Sequence, residues 1–130
     1  MIVFDTEALL IFYLDEAGAD IVEELLEKVL EGSLEGYLSI VNLVEFYYIL
    51  YRRDPIVAEE KEANLRSYGL KIVPVTDNSI WREAGRLKGE HRLSLADAFA
   101  AATANIMGAK LVAGSDTGFD GIGVPLIRTR

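Results

Sequence analysis

Four carboxylates stand in apolar stretches of this sequence, where a charged side chain is costly. Asp5 ends the run IVF, and Asp116 closely follows the run LVA. Glu45 is the only charge in GYLSIVNLVEFYYILY, and Asp97 is the only charge in LSLADAFAAATANIMGA. An ionised carboxylate near a core costs several kcal/mol unless it is paired or bound to a cation. Four such placements predict a shared acidic site.

The composition limits what this acidic site could bind. The chain has no Cys and one His, His91, so a thiolate nucleophile and a zinc site built from Cys or several His are excluded. A Ser–His–Asp triad would depend on His91 alone, which lies between Glu90 and Arg92 and is expected at the surface. Carboxylate oxygens without His or Cys suit Mg²⁺ or Mn²⁺. We therefore predict metal-assisted phosphodiester hydrolysis.

Each acid also has a purely structural explanation. Asp5 could cap the helix that follows it, and Ser94 with Asp97 fits a capping box. Glu45 could lie on the exposed stripe of its helix, while Asp116 and Asp120 could serve only the turn SDTGFDG.

The charge of the 130-residue chain is negative and uneven. Its 13 Lys and Arg against 21 Asp and Glu give a net charge of −8, which argues against gripping duplex DNA by bulk positive charge. Many of the acids belong to one amphipathic helix between Gly18 and Gly32, where they form a water-facing surface. The candidate bases for contacting a nucleic acid are Arg52, Arg53, Arg82, Arg86, Lys88 and Arg92.

Short apolar runs alternate with helical patterns along the whole sequence. Strands are predicted near residues 1–4, 70–75, 110–113 and 124–127, with Pro74 favouring an edge position for the second of these. Residues 37–41 are either a further strand or the lead into a helix. This alternation predicts an α/β fold whose parallel sheet is covered by helices on both faces. The absence of repeats and linkers predicts a single domain over 1–130. Ligand sites of such sheets lie beyond the carboxyl ends of the strands, where Asp5 and Asp116 are expected.

Four segments together resemble the motifs of the PIN-domain family, and especially its VapC-like toxins. MIVFDTEALL resembles the first strand with its metal aspartate, and SIVNLVE resembles the second motif. LSLADAFAAATA resembles the helix that carries the third acid, and LVAGSDTGFD resembles the fourth motif. The order and wide spacing of the acids also fit, and the likeness spans almost the whole chain.

The resemblance implies a three-layer α/β/α sandwich with a central parallel sheet, and an endoribonuclease that depends on Mg²⁺ or Mn²⁺. The implied catalytic carboxylates are Asp5, Glu45, Asp97 and Asp116, of which Asp5, Asp97 and Asp116 would hold the metal. Thr6 and Ser115 would be small polar neighbours that orient metal ligands or waters. The implied partners are RNA, a cognate antitoxin protein and a second copy in a homodimer. No signal peptide or membrane span is expected, so the cytoplasm is the expected location.

One departure from the family pattern concerns the fourth motif. Many relatives have an acid where this chain has Gly118, and Asp120 is displaced from that position. The number of metal ions is therefore open. One alternative is a PIN-like module that binds RNA or protein without cleaving. Another is a haloacid-dehalogenase-like phosphatase, although Glu7 stands where that family has its second aspartate.

Overall fold

The computed structural model describes residues 1–130 and contains the predicted alternation of strands and helices. The strands are β1 (Ile2–Phe4), β2 (Gly36–Ser39), β3 (Lys71–Val73), β4 (Lys110–Ala113) and β5 (Leu126–Arg128). The helices are α1 (Thr6–Tyr13), α2 (Ala19–Glu31), α3 (Ile40–Arg53), α4 (Pro55–Ser67), α5 (Asn78–Glu90) and α6 (Leu95–Met107). A short 3₁₀ turn covers Thr117–Phe119.

All five strands form one parallel sheet in the order β3-β2-β1-β4-β5. The predicted parallel sheet is confirmed, and β3 lies at an edge as Pro74 indicated. The last strand begins at Leu126, two residues later than predicted, since Pro125 has no N–H to give to a ladder. Parallel pairing brings the carboxyl ends of β1 and β4 side by side.

Alternate side chains of the strands enter two separate cores. On β1, Ile2 and Phe4 pack with α1–α4, whereas Val3 packs with α5 and α6 on the opposite face. On β4, Val112 belongs to the first core and Leu111 to the second. Burial on both faces explains why these strands are apolar throughout. The three-layer α/β/α sandwich is thereby confirmed.

Helix α6 presents small side chains to the sheet. Its buried residues are Ala96, Ala98, Ala100, Ala101, Ala102, Thr103 and Ala104. Because alanine projects only a methyl group, the helix backbone can lie close to the strands at normal packing density. The helix packs on β1, β2 and β4, which carries its first turn to the edge where β1 ends.

Candidate metal centre

Asp5 is the most buried acid of the predicted site. It stands between β1 and α1 with only 1% of its surface exposed. It occupies the N-cap position, but its side chain forms no cap hydrogen bond, and its Oδ1 has no partner. Burial, followed by the negative charges of Asp97 and Glu45, raises the pKa of Asp5 well above 3.8, although nearby N–H groups partly offset this. Capping does not explain this carboxylate.

Asp97 lies in the first turn of α6, and its charge acts on Asp5. The Ser94 hydroxyl caps the helix by accepting a hydrogen bond from the Asp97 N–H, at 3.1 Å. Burial and the neighbouring Asp116 carboxyl raise the pKa of Asp97 to about 6, and the charge of Glu45 adds to this. The predicted N-cap is thus present, yet the Asp97 carboxyl itself is directed at other acids.

Glu45 and Asp116 complete the group from two other elements. Glu45 is half-buried on α3, and its charge raises the pKa of both Asp5 and Asp97. Asp116 accepts a hydrogen bond from the Gly118 N–H at 2.8 Å, so it serves the turn as well as meeting Asp97. The four predicted acids are therefore linked, Asp97 being the common neighbour.

Asn42 braces the elements that carry these acids, and sequence reasoning missed it. Its fully buried Nδ2 donates to Thr6 Oγ1 at 3.0 Å and to the Ala96 carbonyl at 3.2 Å. It thereby ties α3 to the starts of α1 and α6. Thr6, predicted to orient metal ligands, is engaged with Asn42. A polar side chain in an apolar run was the available signal, the same one that singled out Glu45.

The loop of residues 114–120 carries Asp116 and is held by two further residues that sequence reasoning missed. Glu7 accepts hydrogen bonds from the N–H and the hydroxyl of Ser115. Arg128 donates to the Gly114 and Asp116 carbonyls and pairs with Asp120. Glu7 lies 108 residues from Ser115 in the sequence, whereas Arg128 follows the loop closely, on β5.

Asp120 does not join the acidic group. Its exposed carboxylate lies 2.6 Å from Arg128 Nη2, so it is engaged in an ion pair. A β-carbon at Gly118 would come within 3.3 Å of the Leu93 side chain and 3.1 Å of Asp116 Oδ1. Leu93 and Asp116 thus partly fill the space that an acidic side chain at position 118 would occupy.

The donor set matches a hard divalent cation. As the side chains stand, no three His, Asp or Glu are arranged to hold a metal ion, and the acids meet in pairs. The fit comes from the chemistry of the group: clustered carboxylates, a buried Asp5 oxygen without a partner, and mutual repulsion that a cation would relieve. Those features suit Mg²⁺ or Mn²⁺.

The basic residues proposed to contact a nucleic acid differ in whether other groups of the protein already bind them. Arg86 is engaged by Glu83 and Glu90, and Lys88 donates to the Leu93 carbonyl. Arg92 is exposed and makes no hydrogen bond or ion pair, and its carbonyl lies beside Gly118. Arg92 is therefore the free base nearest the 114–120 loop among these three. None of the six helices combines the length and the hydropathy that a membrane span requires.

Comparison with known proteins gives matches over nearly the full length of the chain. Ribonuclease VapC42 of Mycobacterium tuberculosis is 30% identical over 118 residues, which cover 85% of this chain and 87% of that protein. A VapC ribonuclease of Mycobacterium bovis matches equally well.

Solved structures share the fold at lower identity. VapBC2 from Rickettsia felis, bound to a DNA fragment from its promoter, superposes with a TM-score of 0.78 at 19% identity, covering 98% of both chains. A toxin–antitoxin complex from Klebsiella pneumoniae gives 0.76 at 19% identity, covering 100% of this chain and 98% of that one. Residues 2–125 match the family described as the PIN domain. With that match and its 30% identical relatives, this chain belongs to the PIN-domain family.

Proposed function

We propose that this protein is a metal-dependent endoribonuclease and the toxin of a toxin–antitoxin pair. The observation that carries the metal-dependent chemistry is the buried Asp5, whose Oδ1 has no partner and whose pKa is raised by burial and by Asp97 and Glu45. The ribonuclease names of its 30% identical relatives support the reaction, and the toxin–antitoxin complexes that share its fold support the partner.

In this proposal Asp5, Asp97 and Asp116 hold Mg²⁺ or Mn²⁺. When bound, the metal supplies a Lewis acid for the phosphate and lowers the pKa of water. Asp5 is held rigidly because β1 and α1 fix its backbone on both sides. Glu45, half-buried and adjacent to both aspartates, accepts a proton from the attacking water or holds that water in line.

An RNA substrate must approach a protein of net charge −8, so local positive charge is needed. Arg92 is exposed and unpaired close to the 114–120 loop. We assign it a phosphate contact beside the carboxylates. His91, the C-cap residue of α5, is given no role in this proposal.

The partner surface that we propose is an apolar groove beside the acids. A cavity of about 450 Å³ lies between α3 and the start of α6, lined by Val44, Tyr48 and Leu95 next to Glu45. These three apolar side chains are exposed, whereas Phe46 on the same helix is fully buried. An antitoxin that covers this groove, as the toxin–antitoxin complexes of the same fold suggest, would be positioned to control access to Glu45.

RNA cleavage by the purified chain tests this function. The wild type should cut RNA with Mn²⁺ or Mg²⁺ and stop with EDTA, and Asp97→Asn should abolish cleavage. Glu60→Gln, at an exposed position on α4, is the matched control and should cleave normally. Cleavage that survives EDTA or Asp97→Asn contradicts the metal site. RNA binding without cleavage under all conditions would favour the binding-module alternative.

A further inference from the structure

Glu7 occupies a space that exists because residue 114 has no side chain. Glu7 is half-buried in the first turn of α1, and Gly114 is buried directly after β4. A β-carbon added at Gly114 would overlap the Glu7 carboxylate and come within 2.8 Å of its Cγ. The glycine and the glutamate are therefore complementary in shape.

The Glu7 carboxylate holds the next residue of the loop by two hydrogen bonds. Its Oε1 accepts from the Ser115 N–H at 2.8 Å and from the Ser115 hydroxyl at 3.2 Å. Asp116 follows at once, and its carboxyl meets Asp97. Glu7 itself comes two residues after Asp5, so one short segment carries a candidate metal ligand and a support for another.

Arg128 holds the same loop from β5. Its Nη1 donates to the Gly114 carbonyl at 2.8 Å and the Asp116 carbonyl at 2.6 Å. The backbone around Asp116 is thus held from α1 through Glu7 and from β5 through Arg128. Arg128 binds the Gly114 and Asp116 carbonyls, and Glu7 binds the Ser115 N–H. These contacts fix the backbone from which the Asp116 side chain projects.

We infer that Glu7 is a positioning residue for Asp116, acting through Ser115 rather than as a metal ligand. This inference rests on the proposed metal site. Groups that orient metal ligands typically change metal affinity by about 10–100-fold when removed. Both hydrogen bonds end on Oε1, so the carbonyl oxygen of a glutamine can replace it. The role assigned to Glu7 therefore needs an acceptor at this place but no charge.

Mn²⁺ binding measured by calorimetry, without substrate, tests the inference. Glu7→Ala should weaken Mn²⁺ affinity at least tenfold, whereas Glu7→Gln should remain close to wild type. Gly114→Ala should also weaken affinity, because its methyl displaces the Glu7 carboxylate. In the Glu7→Ala background, Gly114→Ala should cause little further loss, since the space is empty. Circular dichroism would establish that each variant is folded.

The outcomes separate this inference from the proposed function. A wild type that binds no Mn²⁺ contradicts the metal site itself, and the inference with it. Wild-type binding with an unchanged affinity in Glu7→Ala overturns only the positioning role. Equal weakening in Glu7→Gln and Glu7→Ala would show that the charge matters, and would overturn positioning through hydrogen bonds. If Glu7→Ala does not fold, Gly114→Ala and Glu7→Gln still give opposite expected results.

Discussion

Replacing Asp97 with asparagine should stabilise the metal-free protein while abolishing cleavage. The wild-type carboxyl at this position is partly buried among other acids, and its pKa is raised from 3.8 to about 6. A raised pKa means that the folded protein prefers the protonated, neutral form. Asparagine resembles that form in shape, keeps the backbone N–H that donates to the Ser94 hydroxyl, and carries no charge at any pH.

The size of the effect follows from that pKa. A roughly hundredfold change in proton affinity corresponds to about 3 kcal/mol. Asp97 is only partly buried, so solvent screening reduces this figure. Its charge also gains about 0.3–1 kcal/mol from the N-terminus of α6. We therefore expect Asp97→Asn to raise the free energy of unfolding by about 1–2 kcal/mol at pH 8, or the melting temperature by about 3–6 °C.

The way in which stability changes with pH follows from the linkage between proton binding and folding. For a carboxyl whose pKa is raised in the folded state, stability is fully present below the unfolded pKa and is lost as the pH rises through the folded pKa. The contribution of Asp97 in the wild type is therefore lost between about pH 4 and pH 7. The advantage of Asp97→Asn should be near zero at pH 4 and complete at pH 8.

Thermal or urea unfolding in EDTA at several pH values provides the assay. Glu60→Gln removes one exposed acid and should leave stability nearly unchanged at both ends of the range. Adding Mn²⁺ should reverse the order of stability, because only the wild type gains binding energy. If Asp97→Asn is less stable than the wild type at pH 8 in EDTA, or if its advantage does not depend on pH, the reasoning is wrong.

Three further outcomes are expected. Asn42→Ala should lower the free energy of unfolding by about 2–3 kcal/mol in urea titrations, because Thr6 and the Ala96 carbonyl lose their hydrogen-bond donor. A loss below about 0.5 kcal/mol would contradict the role of Asn42 in holding the helices together. Arg92→Ala should weaken RNA binding and flatten its salt dependence by about one phosphate contact, without altering Mn²⁺ affinity; an unchanged salt slope would remove Arg92 from the interface. Arg128→Lys should weaken Mn²⁺ affinity, because one ammonium cannot reproduce the guanidinium fork; an affinity equal to that of the wild type would show that the loop does not need it.

The sequence predicted the fold well because its main signals are local. Apolar runs interrupted by capped helices leave few topologies besides a parallel sheet, and the N-cap at Ser94 lies where the pattern placed it. The four carboxylates could be identified because they stand in apolar stretches, where burying a charge is unfavourable. The pairing of β1 with β4 brings Asp5 and the segment of Asp116 to one edge of the sheet, whereas Glu45 and Asp97 reach it from α3 and α6.

The supports of the site were harder to predict because they depend on long-range pairing. Glu7 looks like one more acid on a helix, and nothing local indicates a partner at Ser115. Asp120 could have replaced the acid missing at Gly118, but Arg128 pairs with it instead. Asp116 serves both the turn and the acidic group, so the two explanations offered by the sequence were not exclusive.

The alanine face of α6 makes the site sensitive at positions that have no functional group. A larger side chain at Ala98 or Ala101, both fully buried, would push the helix from the sheet and move Asp97 with it. In a saturation mutagenesis screen for loss of toxicity, these alanines should therefore be as intolerant as the carboxylates. Enlarged side chains there would inactivate the protein through displacement, and would leave every reacting group in the sequence intact.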